Sequence, residues 1–297
     1  RWRQIVDRQL ANPVTKPRKN NQNSPKNKIG NVKTAKIYHK SMIVDIGGRK
    51  INFREGQKSS EVKNLIYIHG SGGSGEVWRY QLDSVGGYAI DLPSHGESDD
   101  FEIKSVEDYA DVVAEAVKAL GLEKGFEKAV FAGHSLGGAI AQMLYFRHPE
   151  IVDKLILVGT GARLRVHPKI LNGLKEEFEA TADMLVEWMF SRRFENRKVR
   201  QEVRDEIIRC GSEVTLRDFM CCDNFDLLED YKEGRITVDV PVLLLVGTDD
   251  IMTPPKYSEF FRQVIPQSRM VVVEGAGHMI MVEKPREVSD AIKEFLG

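Results

Sequence analysis

Short apolar runs alternate with amphipathic stretches along most of the chain, and this alternation sets the architecture. Lys36–Gly47 and Arg49–Arg54 read as two strands, with Gly47-Gly48 between them as a hairpin signal. Leu65–Ile68, Gly86–Asp91, Ala129–Gly133, Leu155–Gly159, Val242–Val246 and Arg269–Val273 hold or end further strands, several of them apolar throughout. Uninterrupted apolar strands are those buried on both faces. From Ser105 to Leu120, Val106, Tyr109, Val112, Val113, Ala116, Val117 and Leu120 recur at helical spacing. Ser105 as N-cap, with Asp108 three residues on, opens this helix, and Gly121 is expected to close it. Leu136–Arg147, Lys256–Val264 and Arg286–Phe295 are further predicted helices. Such alternation predicts an α/β fold: a mostly parallel central sheet covered by helices on both faces.

One interval breaks the rhythm. Between Gly159 and Val242 lie about eighty residues of mainly helical character, with Met184, Leu185, Trp188 and Met189 on one helical face. We expect residues 161–238 to form a helical cap inserted into a core made of 36–160 and 239–297.

Composition alters this picture only at the N-terminus. Hydrophobic residues make up 41% of the chain and charged residues 29%, as in ordinary globular proteins. No run approaches the roughly 18 apolar residues of a membrane span. The opening Arg1-Trp2-Arg3-Gln4 has no apolar signal segment, so a cytoplasmic location is expected. The net charge of −1 hides an asymmetry. Residues 1–36 hold ten Lys or Arg against the single acid Asp7, leaving 33 basic and 43 acidic residues for the rest. With almost no large apolar residue after Leu10, residues 1–35 are expected to stay a disordered basic tail, native or appended. No aromatic platform or helical basic face accompanies them, and no nucleic-acid partner is expected. Cys210, Cys221 and Cys222 are odd in number, and two are adjacent, which suits reduced thiols better than a disulfide framework. No His stands at metal-ligand spacing from them, so no zinc site is expected.

Chemistry concentrates at three places. Gly133-His134-Ser135-Leu136-Gly137-Gly138 follows a predicted strand and opens a predicted helix, the context of a nucleophile elbow. Such a turn lifts the Ser135 hydroxyl off the sheet edge, and the helix N-terminus behind it favours negative charge. A serine hydroxyl needs an adjacent base. His278 closes Gly275-Ala276-Gly277-His278, a loop between the last strand and the final helix, and is the strongest of seven histidines for that role. An acid must hold the imidazole in one tautomer. Asp249 and Asp250 both stand where Val242–Val246 ends, and on spacing alone either qualifies. Ser71–Gly75 is a small-residue loop able to bring an amide to a substrate oxygen. It is not followed by the Lys-Ser/Thr of a phosphate-binding loop.

From about Lys36 to Gly297 the chain resembles capped α/β-hydrolases of the esterase, lipase and lactonase kind. The motifs are His69-Gly70-Ser71-Gly72-Gly73, Asp91 to Ser98, the Ser135 elbow, Gly247-x-x-Asp250-x-x-x-Pro254 and Gly275-x-Gly-His278. The resemblance implies Ser135 as nucleophile, Asp250 rather than Asp249 as triad acid, and His278 as base. It also implies an oxyanion hole from the backbone N–H groups of Ser71 and Leu136. Trp188, Met184, Met189 and Met279 are candidates for an apolar substrate pocket. The implied activity is serine hydrolysis of a carboxylic ester or lactone, with a small-molecule substrate and no cofactor or metal. Thioesterases, carbon–carbon bond hydrolases and ligand receptors that keep the triad are alternatives at this stage. Ser at the elbow argues against the dehalogenase and epoxide hydrolase branches, which place Asp there.

Overall fold

A computed structural model describes residues 39–58 and 61–297; the expected basic tail lies outside the described residues. Eight strands form one sheet: β1 (Lys40–Ile46), β2 (Arg49–Glu55), β3 (Leu65–Ile68), β4 (Tyr88–Ile90), β5 (Ala129–His134), β6 (Val152–Val158), β7 (Val242–Gly247) and β8 (Ser268–Val273). Their order is β1-β2-β4-β3-β5-β6-β7-β8. The β1–β2 hairpin turns at Gly47-Gly48, and β2 meets β4 antiparallel; every other pairing is parallel. From β3 the chain goes to β4 on one side, then returns to β5 on the other. This is a topological switch point, where loops at the carboxyl ends of adjacent strands part and leave a crevice. Ile68 and Gly133, at the ends of β3 and β5, pair there.

Burial follows strand position. All residues of β3, β4, β5 and β7 are buried, as their unbroken apolar runs require. The edge strand β1 alternates exposed and buried residues, and β8, on the opposite edge, leaves Val272 47% exposed. The core helices are α1 (Arg79–Ser84), α2 (Val106–Lys124), α3 (Leu136–Arg147), α9 (Lys256–Val264), α10 (Ile280–Glu283) and α11 (Pro285–Leu296). Between β6 and β7 the insert adds α4 (Pro168–Glu176), α5 (Phe178–Met189), α6 (Arg197–Cys210), α7 (Ser212–Asn224) and α8 (Leu228–Lys232). No helix among the described residues is long and apolar enough to cross a membrane. Cys210, Cys221 and Cys222 are free thiols.

Helix α2 begins as its pattern requires and ends later. Ser105 Oγ accepts from the Asp108 amide at 3.2 Å, and Asp108 Oδ2 accepts from the Ser105 amide at 3.0 Å. Gly121, expected as the stop, lies inside the helix; the stop is Gly125, at φ 77°. The Gly121 carbonyl accepts the amides of Gly125 (2.7 Å) and Phe126 (3.1 Å), which closes the last turn around it. A Cβ at Gly125 would meet nothing within 4 Å, so only backbone strain opposes a side chain there. Gly125→Ala should therefore cost about 1 kcal/mol, the left-handed penalty alone. Urea unfolding followed by circular dichroism measures it; a loss above roughly 3 kcal/mol would mean that the site is packed rather than strained.

Candidate active site

At the end of β5 the chain turns sharply at Ser135, with φ 53° and ψ −114°. A non-glycine residue at positive φ persists only where its surroundings fix it. Here the Ser135 amide donates to Val158 O (3.0 Å), while its carbonyl accepts Thr160 Oγ1 (2.8 Å) and the Gly138 amide (2.9 Å). A Cβ at Gly133 would overlap the Gly137 carbonyl, so the turn needs glycine two residues before the serine. Helix α3 starts directly behind, at Leu136.

The histidine and acid arrive from β8 and β7. His278 Nδ1 lies 2.9 Å from Asp250 Oδ2, and both side chains are buried. A ring nitrogen facing a carboxylate carries the proton, which leaves the Nε2 lone pair free. Asp250 Oδ1 accepts the amides of Met252 and Thr253, each at 2.8 Å. Thr253 Oγ1 donates to Asp250 Oδ2 at 2.9 Å and sits 3.1 Å from His278 Nδ1. Asp249 turns elsewhere: it accepts Ser191 Oγ at 2.7 Å and lies 3.5 Å from Arg193. The Ser191 bond holds its carboxyl below the usual range. Of the two aspartates, Asp250 is the one that meets His278.

Several side chains fix these groups that the sequence reading did not single out. His134, read only as part of the turn, donates Nε2–H to the His278 carbonyl (3.0 Å), and its ring stands 4.6 Å from the His278 ring. Burial, then the neighbouring His278, push its pKa well down, so it stays neutral. Glu283 accepts the Gly277 amide on Oε1 and the Ser191 amide on Oε2, both at 3.0 Å. Burial raises its pKa. Its visible signal is a lone acid after the apolar run Met279–Val282. The His278 amide itself donates to Met189 O at 2.7 Å, tying the His278 loop to the insert.

The loop after β3 lies against the elbow: a Cβ on Gly70 would stand 3.2 Å from Ser135 Cβ. Ser71 is half-buried, with Oγ 3.6 Å from Cys222 Sγ, and Leu136 is fully buried. His69 Nε2 accepts the Leu92 amide (3.0 Å), so Nδ1 holds the proton and donates to Gly70 O (2.8 Å). Because N–H and C=O point oppositely across a trans peptide, holding the Gly70 carbonyl orients the Ser71 amide. Among the pocket candidates, Trp188, Met189 and Met279 are buried and Met184 is half-buried. A cavity of about 310 Å³, lined by Arg193, Phe194, Glu274, Gly275, Glu283 and Lys284, contains none of them.

Known proteins share this fold. Residues 65–291 match the alpha/beta hydrolase family. A solved thermophilic esterase is 44% identical with a TM-score of 0.79, covering 86% of this chain and 97% of its own. The pimeloyl-[acyl-carrier protein] methyl ester esterase of Neisseria meningitidis is 25% identical over 79% of this chain and 77% of its own length. The enol-lactonase from Burkholderia xenovorans LB400 shares the fold, with a TM-score of 0.76 at 21% identity, covering 86% of this chain and 99% of its own. A family match over most of the chain, together with a 44%-identical esterase covered almost end to end, shows that this chain belongs to the alpha/beta hydrolase family.

Proposed function

We propose that the protein is a serine hydrolase that cleaves carboxylic esters through an acyl-enzyme on Ser135. The observations that support this most are the buried His278–Asp250 pair, 2.9 Å apart, and a serine held at positive φ on an elbow whose preceding residue, His134, bonds the His278 carbonyl. His278 Nε2 takes the Ser135 proton as Oγ attacks the carbonyl carbon, and Asp250 stabilises the imidazolium that forms. The amides of Ser71 and Leu136 receive the oxyanion. The α3 N-terminus adds its partial positive charge there. His278 then gives the proton to the departing alkoxide and activates the water that releases the acid. Lactones are cyclic esters and pass through the same steps. Similarity to esterases, above all at 44% identity, favours an oxygen ester over a thioester or a carbon–carbon bond.

Residues 161–238 serve in this reading as a cap, with Trp188, Met184, Met189 and Met279 facing the acyl chain. Trp188→Ala should then shift the preferred chain length of p-nitrophenyl esters toward longer acyl groups. Kinetics on a C2 to C12 series measure it; lowered stability with unchanged preference would limit Trp188 to packing.

The triad is tested on p-nitrophenyl butyrate. Ser135→Ala should abolish turnover with the fold intact by circular dichroism. Asp250→Asn should lower kcat by roughly a thousandfold or more, because the base loses its partner and tautomer. Asp249→Asn alters contacts to Ser191, Thr248 and Arg193, none of them to His278, and should cost about tenfold or less. Equal losses for the two aspartates would refute the assignment.

A further inference from the structure

Helix α7 of the insert sends one carboxylate into the core. Asp218 is fully buried, and three donors from three separate core elements converge on it. Tyr109 OH of α2 donates to Oδ1 at 2.6 Å. The Gly72 amide, after β3, and His95 Nε2, after β4, donate to Oδ2, each at 2.9 Å. Arg217 beside it donates to Tyr109 OH and to Pro93 O, both at 3.1 Å. His95 also points Nδ1 at Pro93 O (2.9 Å). Both ring nitrogens face acceptors, so both are protonated and His95 is an imidazolium. Burial alone would push its pKa down; Asp218 outweighs that and raises it well above the ordinary value.

A buried ion pair adds little net stability over apolar residues of the same size. What this one supplies is geometry. Its amide partner, Gly72 at φ 67°, is the residue directly after Ser71. Bonding that amide to Asp218 fixes the Ser71–Gly72 peptide plane, while His69 Nδ1 and the Gly73 amide (3.2 Å) fix the Gly70–Ser71 plane through Gly70 O. With both flanking planes held, the Ser71 N–H has one direction left to it. The His69 and His95 rings touch, with centroids 4.8 Å apart. Burial and the neighbouring His95 charge lower the His69 pKa to about 4, which keeps its Nδ1–H tautomer in place.

We infer that Asp218 is a positioning residue for the oxyanion hole, holding the Ser71 amide in line through Gly72 and His95, so that catalytic competence depends on the seating of helix α7. This rests on the reading of Ser71 as an oxyanion donor. An amide aimed at the oxyanion acts in the transition state, so its misalignment lowers kcat and spares KM.

The test is Asp218→Asn, assayed on p-nitrophenyl butyrate and with a trifluoromethyl ketone of the same acyl chain, which forms a tetrahedral oxyanion on the serine. The expected result is a fall in kcat of about a hundredfold, a parallel weakening of the ketone, and KM within about twofold. Unchanged kcat in a folded variant, or a change confined to KM, overturns the inference. If Asp218→Asn does not fold, Tyr109→Phe decides. It removes one donor and leaves the carboxylate, and it should lower kcat and ketone affinity together by about tenfold. Unchanged values overturn the inference. Ser135→Ala separates the two levels: full turnover in that variant sinks the serine mechanism itself. Lost turnover there, with Asp218→Asn unaffected, sinks only the role of Asp218.

Discussion

Strands β3 and β5 lie side by side in parallel register, and the chain leaves them in opposite directions. Most of the site depends on that divergence. The backbone after β3 must pass over the start of helix α3, and it can do so only with small residues at the contact. The elbow serine and Gly70 therefore lie against each other. The β7 and β8 loops reach the same rim from two strands farther along and bring Asp250 and His278 as a bonded pair. The sheet thus fixes the distances, and the loops set only the directions.

Four buried histidines surround this crevice, and each is held in its own proton state by what it touches. His69 accepts a backbone amide and so keeps Nδ1–H. His95 faces two acceptors and is charged. His134 gives its single proton to a carbonyl and stays neutral, and His278 points Nδ1–H at Asp250. A second cation beside His95 would be costly at this burial, which explains why one member of that touching pair is neutral while the other has the carboxylate. The same residue type thus orients, charges or braces according to its partners.

Much of this was legible in the chain because it is local. The strand-to-helix context of Ser135, the glycines before His278 and the acid at the end of β7 each sit within a few residues of the pattern that reveals them. What escaped depends on distant contacts. Gly72 and Asp218 are 146 residues apart in sequence, and nothing near either announces the other. The trace of Asp218 is a charge on the buried face that α7 forms with Thr215, Phe219 and Cys222. Such a face ordinarily excludes charge. The late end of α2 escaped for a related reason: Gly121 and Gly125 look alike as stop signals. Only the two amides converging on the Gly121 carbonyl show where the turn closes.

The tie between the His278 loop and the insert has a consequence for how such a protein can change. The amides of His278 and Met279 both donate to the carbonyl of Met189, at 2.7 and 3.2 Å. A main-chain acceptor is present whatever side chain stands at that position. The residue at 189 is thus open to replacement, by drift or by directed evolution, while the anchorage of the histidine stays the same. Side-chain shape at position 189 is thereby decoupled from the backbone anchorage of His278 and Met279.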